Sequence, residues 1–137
     1  MKNLANCTPR EFLKQTSRIK RSVEKWLKVT DIMSIRKRMP AELPEINENT
    51  PVSEQGELVA KRAEMLREQA YKNVSLILDE MLEKHPDETL EVLAYCCFVE
   101  PEKVDDHPMG YYLASINEML TDESVKAFFT TLMSLVQ

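Results

Sequence analysis

The sequence predicts an all-α protein, a single domain of five or six helices with a basic amphipathic helix near its N-terminus and one long central helix. Three observations lead there. Apolar side chains recur at alternating spacings of three and four through most of the chain, the period that lines one face of a helix. Proline, His-Pro and Ser/Thr/Asp residues stand where those runs begin, as helix-start signals do. No segment carries the two-residue alternation or β-branched enrichment of a strand.

Thr8, Pro9, Arg10 and Glu11 read as a capping box with proline at the first helical position. From there Phe12, Thr16, Ile19, Val23 and Trp26 make an apolar row, and Lys14, Arg18, Arg21, Lys25 and Lys28 a basic row about 200° around the same helix. A short second helix is expected through Ile32, Met33, Ile35 and Arg36, after a break near Val29 and with Thr30 or Asp31 as its cap. Pro40 to Pro51 carries three prolines and three glutamates without a basic residue, and reads as an extended acidic connector.

Ser53 then opens a long helical pattern whose stripe includes Leu58, Val59, Ala63, Leu66, Ala70, Val74, Ile77, Leu78, Met81 and Leu82. His85-Pro86 ends it and starts a shorter helix over Asp87 to Val99, with Leu90, Leu93, Ala94, Cys97 and Phe98 as its expected buried set. Pro101 to Asp106 reads as a polar connector. The last two helices are expected over Pro108 to Leu120 and Asp122 to Val136, with Thr121 or Asp122 as cap.

At 137 residues and 43% hydrophobic, the chain can bury a core without disulfide or metal staples. No run approaches the roughly 20 apolar residues of a membrane helix, and the N-terminus lacks an apolar signal core. Cys7, Cys96 and Cys97 are odd in number with no CxxC spacing, which fits reduced thiols in a reducing compartment. A cytoplasmic protein without a membrane partner is expected. With only Gly56 and Gly110, no glycine-rich phosphate loop can be written.

Charge is sorted along the chain. Residues 1–40 hold eleven Lys and Arg against three acids, a net of +8, and the remaining 97 residues hold seven against twenty, a net of −13. This divides the sequence into a basic helical segment (1–40), an acidic proline-rich connector (41–52) and an acidic helical body (53–137), expected to form one folded domain. The basic row, with Arg36, Lys37 and Arg38, has three candidate counterparts: nucleic acid, an acidic protein surface, or the chain's own acidic half. A row of five cations could track phosphates, but two-thirds of the chain is acidic and repels them within a Debye length of about 10 Å. No tight glycine turn offers a helix-turn-helix frame before Gly56. Protein surfaces are the better counterpart. Asp79 to Asp106, with ten acids against Lys84 and Lys103, is the most acidic stretch available.

Catalysis is not expected. His85, Cys96, Cys97 and His107 are the only soft-metal ligand types in the body, and their spacing matches no compact zinc knuckle; no metal or cofactor is expected. The paired acids, such as Asp79 with Glu83, sit where exposed carboxylates are ordinary. The C-terminal run Val125, Phe128, Phe129, Leu132, Met133, Leu135 and Val136 covers more than half a helix circumference, so it must be buried or bind something. Phe128, Phe129 and Leu132 join Lys14, Arg18, Arg21, Lys25, Lys28, Arg36, Lys37 and Arg38 as candidate partner-binding residues.

The wording of Cys7-Thr8-Pro9-Arg10-Glu11-Phe12-Leu13-Lys14-Gln15-Thr16, of Ser22-Val23-Glu24-Lys25-Trp26-Leu27, of Ile35-Arg36-Lys37-Arg38, and of the run from His85-Pro86 to Val99-Glu100-Pro101 resembles the small tail assembly chaperones of long-tailed bacteriophages and prophages of Gram-positive bacteria. The resemblance spans most of the chain and contains no catalytic or ligand motif. It implies a non-enzymatic helical protein that binds the tape measure protein and tail tube subunits during tail morphogenesis, in the cytoplasm of the bacterial host. Many members of that family also have a longer form made by ribosomal frameshifting. A homo-oligomer is compatible with it, and the alternative reading is a nucleic-acid-binding regulator that uses the basic N-terminal helix.

Overall fold

The structure, a computed structural model, describes residues 2–136. It is all-helical, with one long helix and no strand among the described residues. The elements are α1 (Pro9–Thr30), α2 (Ile32–Arg36), α3 (Val52–Asp79), a π-helical turn (Glu80–Lys84), α4 (Pro86–Cys96), a 3-10 helix (Pro101–Asp106), α5 (Met109–Thr121) and α6 (Glu123–Leu135). The chain groups into two compact units, one of Met1–Val29 with Pro86–Gln137 and one of Thr30–His85.

In the first unit, α1 begins as its sequence dictates. The Thr8 amide donates to Glu11 Oε1 at 3.1 Å and the Glu11 amide donates to Thr8 Oγ1 at 3.3 Å, the reciprocal pair of a capping box. Lys2 donates to the same Glu11 carboxylate, and these contacts hold its pKa down to about 2. The core is small: Leu4 before α1, Cys96 and Cys97 at the end of α4, Tyr112 and Met119 on α5 and Val125 on α6, with Phe12 and Ile19 of α1, Leu93 and Ile116 packed around them. The Tyr112 hydroxyl donates to the Val104 carbonyl at 2.6 Å, so the largest fully buried side chain keeps its polar end satisfied and pins the 3-10 helix to α5.

Helix α4 stops earlier than the expected Val99. Phe98 adopts φ 57°, the left-handed region in which a helix cannot continue, and its amide donates to Tyr95 while that of Val99 donates to Ala94. These are the two bonds of a Schellman turn, made here with a phenylalanine where glycine is usual. Its buried set shifts accordingly to Ala94, Cys96 and Cys97, leaving Leu90, Leu93 and Phe98 half-buried. The expected polar connector after it is wound into the 3-10 helix, which starts with Pro101. Helix α6 is capped by Asp122, whose Oδ2 accepts from the Val125 amide at 3.0 Å.

In the second unit, Asp31 takes φ 55°, which separates α1 from α2, and its side chain makes no capping bond. The break therefore lies two residues past Val29 and comes from backbone conformation, not from a side-chain restart cap. Ile32 and Ile35 are the buried residues of α2. Asn73 is the buried residue of α3: it accepts from Gln69 at 2.8 Å and donates to the Arg38 carbonyl at 3.1 Å, joining the chain just past α2 to the C-terminal part of the long helix. Two side chains of α3 tie the connector: Arg62 donates to the Pro44 carbonyl at 3.2 Å and Gln55 to the Thr50 carbonyl at 3.1 Å. Much of the expected α3 stripe is not core. Val59, Ala63, Val74, Leu78 and Leu82 are exposed, because α2 and the connector cover only one side of a 28-residue helix.

Removing the Asp122 cap tests how far α6 depends on it. Asp122→Ala is expected to lower the unfolding free energy by about 1 kcal/mol in urea titrations, and Asp122→Asn by much less, since asparagine caps as well.

Candidate protein-binding surfaces

Helix α1 meets the rest of the first unit along two adjoining strips, each built differently. Towards α4 it presents polar groups. Gln15 Nε2 donates to the Tyr95 carbonyl at 2.5 Å, Ser22 Oγ donates to Glu91 at 3.0 Å, and Trp26 Nε1 donates to Thr89 Oγ1 at 2.9 Å. Residues 15, 22 and 26 are separated by seven and four, so one helix face carries all three. Gln15 and Ser22 are buried there. Counting only apolar side chains missed them, although their spacing is in the sequence.

Beside this polar seam the basic row meets acids. Lys25 Nζ lies 3.4 Å from Glu91 Oε2 and Arg18 Nη1 lies 3.7 Å from Glu100 Oε1. These pairs border a surface recess of about 330 Å³ that Arg21, Ser22 and Tyr95 also line. Two of the five cations thus face carboxylates from the acidic stretch of the same chain. Lys14, Arg21 and Lys28 are exposed, and among the described residues no carboxylate lies within 4 Å of them. Arg36, Lys37 and Arg38 are exposed in the other unit.

An adjoining strip of α1, about 50° further round, is apolar and meets α6. Phe128 packs edge-on against Phe12 with centroids 4.8 Å apart, and Phe129 lies 6.4 Å from the same ring. Two open apolar grooves flank this contact. One, of about 390 Å³, is lined by Leu4, Ile19, Met119, Leu120 and Phe129; the other, of about 370 Å³, by Leu4, Cys7, Phe12, Leu13 and Phe128. Leu13 and Leu120, which the sequence reading did not single out, stand exposed at their rims. Beyond the grooves, Phe129, Leu132 and Met133 are 40%, 44% and 59% exposed, and Leu135 and Val136 more so. Of the three candidate residues on α6, Phe128 is half-buried structure while Phe129 and Leu132 remain available.

The thiols and imidazoles are placed for packing. Burial pushes the Cys96 thiol up to about 11, with the neighbouring Cys97 adding to the shift. Cys97 is raised as well by burial, and its thiol donates to the Tyr112 carbonyl at 3.8 Å. Neither is a thiolate near neutral pH. His107 stacks on Tyr111 at 4.1 Å. Among the described residues no group of His, Cys, Asp and Glu could hold a metal ion, and no helix is long and apolar enough to cross a membrane.

The seam between α1 and α4 gives a quantitative expectation. Glu91 accepts from both Ser22 and Lys25, so Glu91→Ala is expected to cost about 1–3 kcal/mol in chemical denaturation by leaving a buried hydroxyl without its acceptor. Lys25→Ala, which removes only the part-exposed ion pair, is expected to cost less than about 1 kcal/mol. In comparisons with family models, curated proteins and solved structures, the chain finds no match.

Proposed function

We propose that this chain is a non-enzymatic binding protein that serves as a tail assembly chaperone of a long-tailed bacteriophage or prophage. In this reading it holds the tape measure protein, and with it tail tube subunits, in the host cytoplasm while the tail is built. The observation that carries it is the face of α6: Phe129, Leu132 and Met133 lie exposed in a row beside two apolar grooves. A monomeric protein that keeps such a face in water does so at a risk of aggregation, and the face suits an amphipathic client helix laid along it. The resemblance in wording at Cys7 to Thr16 and at His85 to Pro101 supplies the identity of the client.

The helical segments need no cofactor for this task. Transient capture asks for apolar contact that can be released, and adaptable side chains such as Met119 and Met133 near the grooves suit clients of varied shape. The nucleic-acid alternative is weakened by the same geometry, since Arg18 and Lys25 face Glu100 and Glu91 instead of standing free for phosphates.

Co-expression with the tape measure protein of the same tail gene cluster tests the reading. The chain is expected to move that protein into the soluble fraction and to co-purify with it, and Phe129→Glu with Leu132→Glu to abolish both effects while the far-ultraviolet spectrum stays helical. Unchanged client solubility with no co-purifying complex would contradict the proposal.

A further inference from the structure

The outer face of α3 is a second apolar surface, separate from α6. At 100° per residue, Val52, Val59, Ala63, Val74 and Leu78 fall within an arc of about 100°, and all five are exposed. Val59 and Val74 are 55% and 53% exposed, so the stripe is open over the middle of the helix. A helix of 28 residues runs about 42 Å, and most helical stability in water comes from burying such a stripe. The second unit offers α3 little of that: its buried side chains are Thr30, Ile32, Ile35 and Asn73.

One charge stands in the stripe. Arg67 lies between Ala63 and Val74 on the exposed arc, and Glu64 and Glu68 flank it on one side. Among the described residues no ion pair forms between Arg67 and either glutamate. We propose that the occupant of this face is a second copy of the chain, with the two α3 helices packed antiparallel about a two-fold axis through the helix midpoint.

Register and charge both lead to that choice. In full antiparallel overlap, Val52 of one copy stands beside the partner's Asp79. The same register sets Arg67 beside the partner's Glu64, and by symmetry Glu64 beside the partner's Arg67. An antiparallel two-fold brings the same flank of each helix together, so the two Arg67 to Glu64 pairs form on one side of the seam. Val59, Ala63, Val74 and Leu78 then each fall between two stripe positions of the other copy, as knobs do in holes, while Val52 lies at the end of the overlap. No like charges stand directly opposite: Glu57 meets the partner's Val74, Glu68 the partner's Ala63, and Lys72 the partner's Val59. Parallel pairing in register would instead set Arg67 against the partner's Arg67 within an apolar seam, which is unfavourable. The short side chain of Ala63 near the midpoint lets the helices approach closely.

The test is the mass of the full chain in solution, by sedimentation equilibrium over a range of concentrations and salt. A reversible dimer is expected, with Val59→Glu plus Val74→Glu monomeric throughout and the near-ultraviolet signal of Trp26, which lies in the other unit, retained. Glu64→Arg and Arg67→Glu are each expected to weaken the dimer by about three- to tenfold, because the two-fold axis counts the pair twice. The double swap Glu64→Arg with Arg67→Glu is expected to restore it. A monomer at all concentrations, a dimer indifferent to the Val59 and Val74 substitutions, or a double swap no tighter than the single ones would each overturn the proposal.

Discussion

The first unit depends on the seating of α1 against α4. Its bonds join residues far apart in sequence: Gln15 reaches Tyr95, Ser22 reaches Glu91 and Trp26 reaches Thr89, across 80, 69 and 63 residues. Closing loops of that length carries an entropic cost that only cooperative contacts offset. The polar seam and the apolar packing of Phe12 and Ile19 act together, on adjoining strips of one helix face. Without the seam, α1 would keep its helical propensity and lose the direction in which its faces point.

That seating determines what the charged and apolar surfaces can do. The acidic stretch around α4 neutralises part of the basic row by placing Glu91 and Glu100 beside Lys25 and Arg18, which leaves Lys14, Arg21 and Lys28 as the outward cations of that row. Exposed pairs of this kind contribute little to stability. Their larger effect is on what α1 attracts: carboxylates stand beside two of the cations in its basic row, so within the first unit that row offers mixed sign to a polyanion. On the adjoining strip, α1 with α5 and α6 frames the grooves, and the end of α6 projects its apolar residues beside them.

Much of the helical layout was legible in the sequence because it rests on local signals. Thr8 and Glu11 make the capping box that their spacing announces, Asp122 caps α6, and Pro9, Pro51, Pro86, Pro101 and Pro108 stand at or beside helix starts. Tertiary and backbone effects were not legible. A phenylalanine in the left-handed region ends α4, where sequence preference would ask for glycine. Gln15 and Ser22 are buried polar residues, and an apolar count passes over them although they share a face with Trp26. The α3 stripe was visible as a period, but a period shows only that one face is apolar. It does not show whether that face is covered, and here Val59 and Val74 are open. Of the candidate binding residues, the same reasoning located Phe128, Phe129 and Leu132 on α6, and packing separated the first, set against Phe12, from the other two.

Native-state hydrogen exchange across α1 and α4 tests the central claim most directly. If the seam holds the first unit together, the amides in the middle of α1, from Gln15 to Trp26, should exchange only through the same cooperative opening as those of Ala94 to Cys97, with matching dependence on denaturant. Exchange of α1 at a much lower opening free energy, while α4 and α5 stay protected, would show that α1 is an appended helix and contradict the account.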